Sequence, residues 1–331
     1  MYSKIVVPLD GSALAEQALP YAVKLATRLN GSLLLMRAID LPPLVSDTPD
    51  HELQYIETAE NYLDEVSKTI SDPTVEPHIE KERVQTLVVY GEKAKEIAEI
   101  APFEKADLVV MTTHGRTGLS RLIMGSVAAK IIQISGLPVV LIRPKKVEES
   151  HNISRLISDF NGQNIMAIGG RLLVTLDGTP EAEAALEPAC EMAQKLGLTL
   201  YLLQVVKASF PVEVGYFGPG YIDSDEAKVK KEEAYSYLDQ VQARLAAKCR
   251  DIVKAVRVGD PVKEIVDYSN QIGASMLVMV THARGTIGRY FIGSVSEEVM
   301  RQTHLPVMMV HPHVYAKTPE AEPVRTMEAT V

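Results

Sequence analysis

Short, continuous apolar runs alternate along this chain with longer stretches whose apolar residues recur at helical spacing. In the first half the runs fall near 4–9, 32–38, 84–90, 107–112 and 138–142, rich in Val, Ile and Leu and without polar alternation. Such runs are the signature of parallel strands covered on both faces. Between them, 13–29, 52–71, 92–101 and 126–135 carry helical periodicity; in the first, Leu14, Ala18, Tyr21, Ala22 and Leu25 form one stripe. The second half repeats this order, with strands near 171–176, 199–205, 253–258, 276–281 and 306–310. Strands alternating with helices predict right-handed βαβ units. The expected fold is α/β, with two Rossmann-like doubly wound domains. Each has a five-stranded parallel sheet in the order 3-2-1-4-5 and four helices.

The two halves are copies. KIVVPLDGS from Lys4 to Ser12 matches RLLVTLDGT from Arg171 to Thr179, and Met124-Gly125-Ser126-Val127 matches Ile292-Gly293-Ser294-Val295. Leu108 to His114 matches Leu277 to His282 with one residue of slack, and Leu137 to Pro144 matches Leu305 to Pro312. Four blocks in one order at an offset of 167 to 168 residues amount to a duplication. The expected domains are 1–146 and 171–313. Residues 147–170 are read as a linker with a short amphipathic helix (Ile153, Leu156, Ile157, Phe160), and 314–331, rich in Pro, Thr and Glu, as a disordered tail.

At 331 residues the chain has room for two cores. Its net charge of −9 argues against a general nucleic-acid binder. No apolar run approaches the ~20 residues of a membrane span, and the N-terminus runs into a strand pattern without a signal-peptide core, so a cytoplasmic location is expected. Cys190 and Cys249 stand in no motif spacing and are read as buried or incidental thiols.

In an open α/β sheet, ligands bind beyond the carboxyl ends of the strands, where strand order reverses. The first strand ends at Asp10-Gly11-Ser12. The fourth ends Thr112-Thr113-His114-Gly115, and nine residues later Gly125-Ser126-Val127 opens a helix. Glycine lets backbone approach a ligand, and free N–H groups at a helix start favour phosphate. Ser126 is a candidate helix cap that would also offer its hydroxyl to the same anion. No Gly-Lys-Ser/Thr loop and no GxGxxG occurs, which counts against a P-loop NTPase or a dinucleotide dehydrogenase. His114 and His282 have no carboxylate or nucleophile beside them in sequence and are read as loop-structuring groups rather than acid–base catalysts. Asp10 and Asp177 suit either a turn cap or a ligand contact. Arg116, Arg121, Arg284 and Arg289 suit either phosphate pairing or solvation. His311-Pro312-His313 is read as incidental. The aromatic segment 210–221 suits packing against the first copy, with a flap over a site as the other reading.

These blocks resemble those of universal stress proteins that bind ATP, which show Gly, two residues, Gly, nine residues, Gly and Ser or Thr, with an Asp ending the first strand. The resemblance covers about 290 of the 331 residues. It implies a stress-response regulatory protein binding ATP, with or without Mg2+, that is not an enzyme beyond weak hydrolysis. A ligand-free interaction protein of the same fold is the alternative. Asp10 would meet the adenine-ribose side, Ala38 the adenine through its backbone, and Gly115, Gly125, Ser126 and Val127 the phosphates. Pro8, Leu9, Met111, Thr112, His114 and Arg116 complete the expected first site. Leu176, Asp177, Val205, Gly293, Ser294 and Val295 form the second. The sequence departs from the pattern at Thr112 in copy one, and at Val280 and Ala283 in copy two, where side chains replace glycine. Copy one is therefore expected to bind more tightly. The resemblance also implies an internal pseudo-dimer paired through the last strands, 139–142 and 307–310, with a homodimer of the tandem chain as a further possibility.

Overall fold

The computed structural model describes residues 2–39, 49–114, 124–145, 152–161, 169–207, 225–281 and 293–312. The first half runs β1 (Lys4–Pro8), α1 (Ala13–Glu16), α2 (Leu19–Leu29), β2 (Ser32–Ile39), α3 (Pro49–Ile70), β3 (Val84–Tyr90), α4 (Lys93–Phe103), β4 (Leu108–Thr112), α5 (Ser126–Ile134) and β5 (Val139–Ile142). A connecting helix, α6 (Ile153–Asn161), leads to β6 (Arg171–Leu176), α7 (Leu186–Leu196), β7 (Thr199–Val206), α8 (Asp225–Leu245), β8 (Ile252–Val258), α9 (Pro261–Gln271), β9 (Met276–Val280), α10 (Ser294–Gln302) and β10 (Val307–Val310). The tail beyond 313 and the aromatic segment 210–221 lie outside the described residues.

Each apolar run is a strand to within a residue or two. The single helix expected over 13–29 is broken in two. Pro20 lies at the start of α2 and has no N–H to give the carbonyl of Glu16. The backbone there closes tighter turns instead, Gln17 to Leu14 and Ala18 to Ala15. α2 and its repeat α7 end alike, on left-handed Asn30 (φ 51°) and Gly197 (φ 63°), the two residue types that adopt this cap at least cost.

The strands form one ten-stranded sheet in the order β3-β2-β1-β4-β5-β10-β9-β6-β7-β8. Each half has the expected doubly wound order. The halves meet where β5 and β10 pair antiparallel, Val307 opposite Leu141, Met308 opposite Val140 and Met309 opposite Val139. Val140 and Met308 are repeat equivalents, so the pseudo-twofold axis passes between them. All eight residues of these two strands are at most 3% exposed. Burying such side chains is worth about 1.5–3 kcal/mol each. These side chains pack into the helical layers on both faces, while the backbone ladder between the two strands joins the halves.

Both helical layers continue across the join. One buried cluster, on the face of α2, α3, α7 and α8, includes Val140, Ile142, Met308 and Val310. The other, on the face of α4, α5, α9 and α10, includes Val139, Leu141, Val307 and Met309. The phenol of Tyr2 donates to the carbonyl of Pro188 at 2.8 Å, and the guanidinium of Arg28 donates to that of Leu196. The chain on the way to the second half is packed where it is described. Gln17 and Lys145 exchange two hydrogen bonds of 2.8 Å. Downstream, α6 lies on α2 and α3, with Ile157 buried and Phe160 against Tyr21 at 4.4 Å between ring centroids.

The backbone direction at the join is fixed by the neighbouring pairings. Val109 donates to Pro138 and Thr113 to Ile142, so Pro138, Val140 and Ile142 turn their polar groups toward β4. Alternation then aims the N–H groups of Val139 and Leu141 at β10. Leu141→Pro removes one of these donors together with a buried leucine, and a loss of at least about 3 kcal/mol is expected. Denaturant titration measures it. In the wild-type chain the amides of Leu141 and Val307 should exchange hydrogen only through global unfolding; exchange at the rate of an open strand edge would refute the pairing.

Candidate functional site

Strand order reverses between β1 and β4 in the first half and between β6 and β9 in the second, and the expected residues gather at those strand ends. In copy one Pro8 closes β1. Leu9, 3% exposed, donates its N–H to Met36 of β2 at 2.8 Å. Asp10 then makes a tight turn, accepting from the N–H and hydroxyl of Ser12 at 2.9 and 2.6 Å. Ser12 in turn caps α1 by accepting from Ala15 at 3.2 Å. Copy two repeats the relay. Asp177 accepts from Thr179 at 3.0 and 2.6 Å, and Thr179 accepts from Ala182 at 3.3 Å. Both aspartates thus hold the first loop, as one of their two readings anticipates. Behind Asp10, Tyr62 donates to the buried Glu16 at 2.8 Å while Arg37 stacks on its ring at 4.9 Å. Burial, and then Glu16, pushes the phenol's pKa well above its ordinary value.

Ala38 is buried on β2 opposite Val89, and Met111 and Thr112 end β4. Thr112 donates to the carbonyl of His114 at 2.8 Å, and the His114 ring lies 3.1 Å from the hydroxyl of Thr113. This is the loop-structuring arrangement the sequence suggests for the histidine. Gly115 and Arg116 lie outside the described residues, as do Arg121, His282, Ala283, Arg284 and Arg289.

Gly125 returns the chain to the strand end, its N–H donating to Thr113 at 2.8 Å. A Cβ there would lie 3.1 Å from the Thr113 carbonyl oxygen, so close backbone packing alone accounts for this glycine. Gly125, not Ser126, is the N-cap of α5. Ser126 is the first helical residue, and its exposed hydroxyl caps nothing. The reason is register: a capping side chain must precede the helix, and here a residue without one does. In copy two Gly293 caps α10 with φ 95°, a conformation only glycine adopts without strain. Neither helix start receives a side-chain cap, in contrast to α1 under Ser12 and α9 under Asp260.

A cavity of about 550 Å3 opens at the strand ends of copy two. All six expected residues of that copy line it, Leu176, Asp177, Val205, Gly293, Ser294 and Val295, together with Val280. Lys207, one residue past β7, lines it too, and sequence reading missed this side chain. Its position immediately after the second strand of the repeat was the available signal. A second cavity of about 650 Å3 adjoins it through Lys207, Ser294 and Val295 and reaches Glu298. This size suits a small organic ligand. Charge differs between the copies at the helix start: Glu297 and Glu298 on α10 stand where α5 has Ala129 and Lys130. Among the described residues no group of three or more His, Cys, Asp or Glu side chains could hold a metal ion. No described helix is long and apolar enough to cross a membrane.

Comparison with known proteins agrees with this architecture. A universal stress protein of Mycolicibacterium smegmatis is 24% identical over 322 residues, covering 93% of this chain and 97% of that one. One from Methanocaldococcus jannaschii is 32% identical over 153 residues, covering 45% of this chain and 86% of the other. The crystal structure of a universal stress protein from Archaeoglobus fulgidus superposes over 94% of this chain and 99% of that chain, with a TM-score of 0.66 and 20% identity. The Universal stress protein family model matches twice, over residues 1–143 and 170–311, and the chain belongs to that family, with two of its domains in tandem.

Proposed function

We propose that the protein is a regulatory binder of an adenine nucleotide, ATP foremost, rather than a catalyst, with hydrolysis weak at most. The carrying observation is the pair of glycine-capped helix starts, α5 and α10, at the strand ends where order reverses. The glycine caps leave those helix starts without a competing side chain, and a helix start favours phosphate. In copy two the cavity of about 550 Å3 has apolar walls from Leu176, Val205 and Val280 for a base, and Lys207 beside Ser294 for an anion. In copy one the proposed contacts are Pro8, Leu9, Asp10, Ala38, Met111, Thr112, His114, Gly115, Arg116, Gly125, Ser126 and Val127.

The ligand-free reading draws on one specific observation. Asp10, Asp177 and Gly125 each have a complete structural role without any ligand. Nucleotide released from the freshly purified, denatured chain and identified by mass spectrometry separates the two readings. An adenine nucleotide near stoichiometry is expected; none, with no binding on titration, leaves the interaction protein.

The copies should differ in affinity, and charge supports the ranking that the glycine pattern suggests. A carboxylate in the first turn repels a phosphate bound at the same helix start, by about 1 kcal/mol for a pair in water. Calorimetric titration of the full chain with ATP should therefore resolve a tighter site that Ala129→Glu weakens several-fold, and a weaker one that Glu297→Ala strengthens. If instead Ala129→Glu weakens the weaker site and Glu297→Ala strengthens the tighter one, the ranking is reversed.

Lys207 gives a third expectation. Lys207→Glu should weaken the copy-two site by tenfold or more and leave copy one unchanged, with the wild-type difference shrinking as salt is raised. An unchanged copy-two affinity would remove Lys207 from the site.

A further inference from the structure

The chain has two cysteines, 59 positions apart and in no recognisable spacing, yet the fold brings them together. Cys190 lies on α7 and Cys249 in the turn between α8 and β8. Both are almost fully buried, 2% and 3% exposed, in the same apolar cluster. The two thiols are close enough that each shifts the titration of the other. The two segments are also tied by an ion pair, Lys248 to Glu187 at 2.8 Å, one turn from Cys190 on α7 and next to Cys249 in the turn. The backbone N–H of Cys249 is fixed to the carbonyl of Leu245 at 2.8 Å. Beside the ion pair lies a cavity of about 300 Å3, lined also by Val241 and Leu245.

We propose that Cys190 and Cys249 are a covalent modification site, a dithiol that a peroxide converts into a disulfide joining α7 to the α8–β8 turn. The Cys190 thiolate attacks one peroxide oxygen, the O–O bond breaks, and the departing oxygen takes a proton and leaves as water or an alcohol. Cys190 is then a sulfenic acid. The Cys249 sulfur attacks the Cys190 sulfur, and the displaced hydroxide leaves as water with the Cys249 proton. Two thiols are oxidised by two electrons and the peroxide is reduced by two. The product is a bond of about 2.05 Å between the two neighbouring sulfurs.

The surroundings of the two sulfurs assign the roles. Burial raises the pKa of both thiols, that of Cys249 to about 12, with the neighbouring Cys190 adding to it. The neighbouring Cys249 and Lys248 oppose the rise at Cys190, which makes Cys190 the attacking sulfur and Cys249 the resolving one. Protonated, buried thiols react slowly. The pair is therefore silent toward traces of peroxide and closes under heavy oxidant load, faster as pH rises through the alkaline range.

The test uses the full chain treated with hydrogen peroxide. Expected are the loss of two hydrogens in the intact mass, a peptide joining the two cysteines, and a Tm higher by several degrees that a dithiol reductant reverses. Cys249→Ser should stop at a sulfenic acid on Cys190 that dimedone traps, while Cys190→Ser stays unreacted. Two free thiols after a treatment that fully oxidises glutathione would overturn the proposal, as would irreversible sulfonic acid or a disulfide between chains. Dimedone trapping on Cys249 in the Cys190→Ser chain would overturn the assignment of roles.

Discussion

The antiparallel pairing of β5 with β10 is the constraint on which the rest of the molecule depends. Each half-sheet would otherwise end in an unpaired, wholly apolar strand, the kind of edge that templates aggregation. Pairing the two edges hides both. The price is register: Val140 must stand opposite its own repeat equivalent Met308, because any slip by one residue would move Leu141 and Met309 into the other core. With that register fixed, α2 meets α7 across one face, Tyr2 reaches Pro188, and Arg143 donates to the carbonyl of Arg301. The edges left over are β3 and β8. They carry the half-exposed Tyr90 and Val253 and form the two far ends of one sheet.

The ten strands were legible because the eight inner ones are largely buried on both faces and even the edge strands β3 and β8 are short runs dominated by apolar residues. The duplication was legible because four blocks share one offset. What escaped is what depends on contact rather than period. The break between α1 and α2 turns on one proline inside an otherwise unbroken stripe. Gly125 reads in sequence as a place for phosphate, whereas the coordinates add the carbonyl of Thr113 pressed against it. Lys207 was marked only by its place just after the second strand of the repeat, a signal that names no cavity. The meeting of Cys190 with Cys249 depends on how α7 crosses the end of α8, which no pattern along the chain records.

Repetition supplies a control within the molecule. The Asp–Ser and Asp–Thr turns at the ends of β1 and β6 agree in geometry to about a tenth of an ångström in each bond, so this part of the loop is set by the fold and is the same for both copies. The helix starts are not the same. Gly125 is extended and packed, Gly293 is left-handed, and the charges that follow them differ in sign. A homodimer cannot carry such differences, since a substitution would appear in both subunits at once. Joining the copies in one chain removes that restriction and lets one strand end change while the other is kept.

Because β5 and β10 run in opposite directions, every strand of the first half points its carboxyl end away from every carboxyl end of the second. The two candidate sites therefore open on opposite sides of the sheet, like two mouths facing away from each other. A ligand cannot bridge them, and a flat partner that covers one leaves the other open to solvent. Any communication between the two has to cross the join, through the paired strands at the pseudo-twofold axis or the contacts that flank them, such as Tyr2 with Pro188 and Arg143 with Arg301.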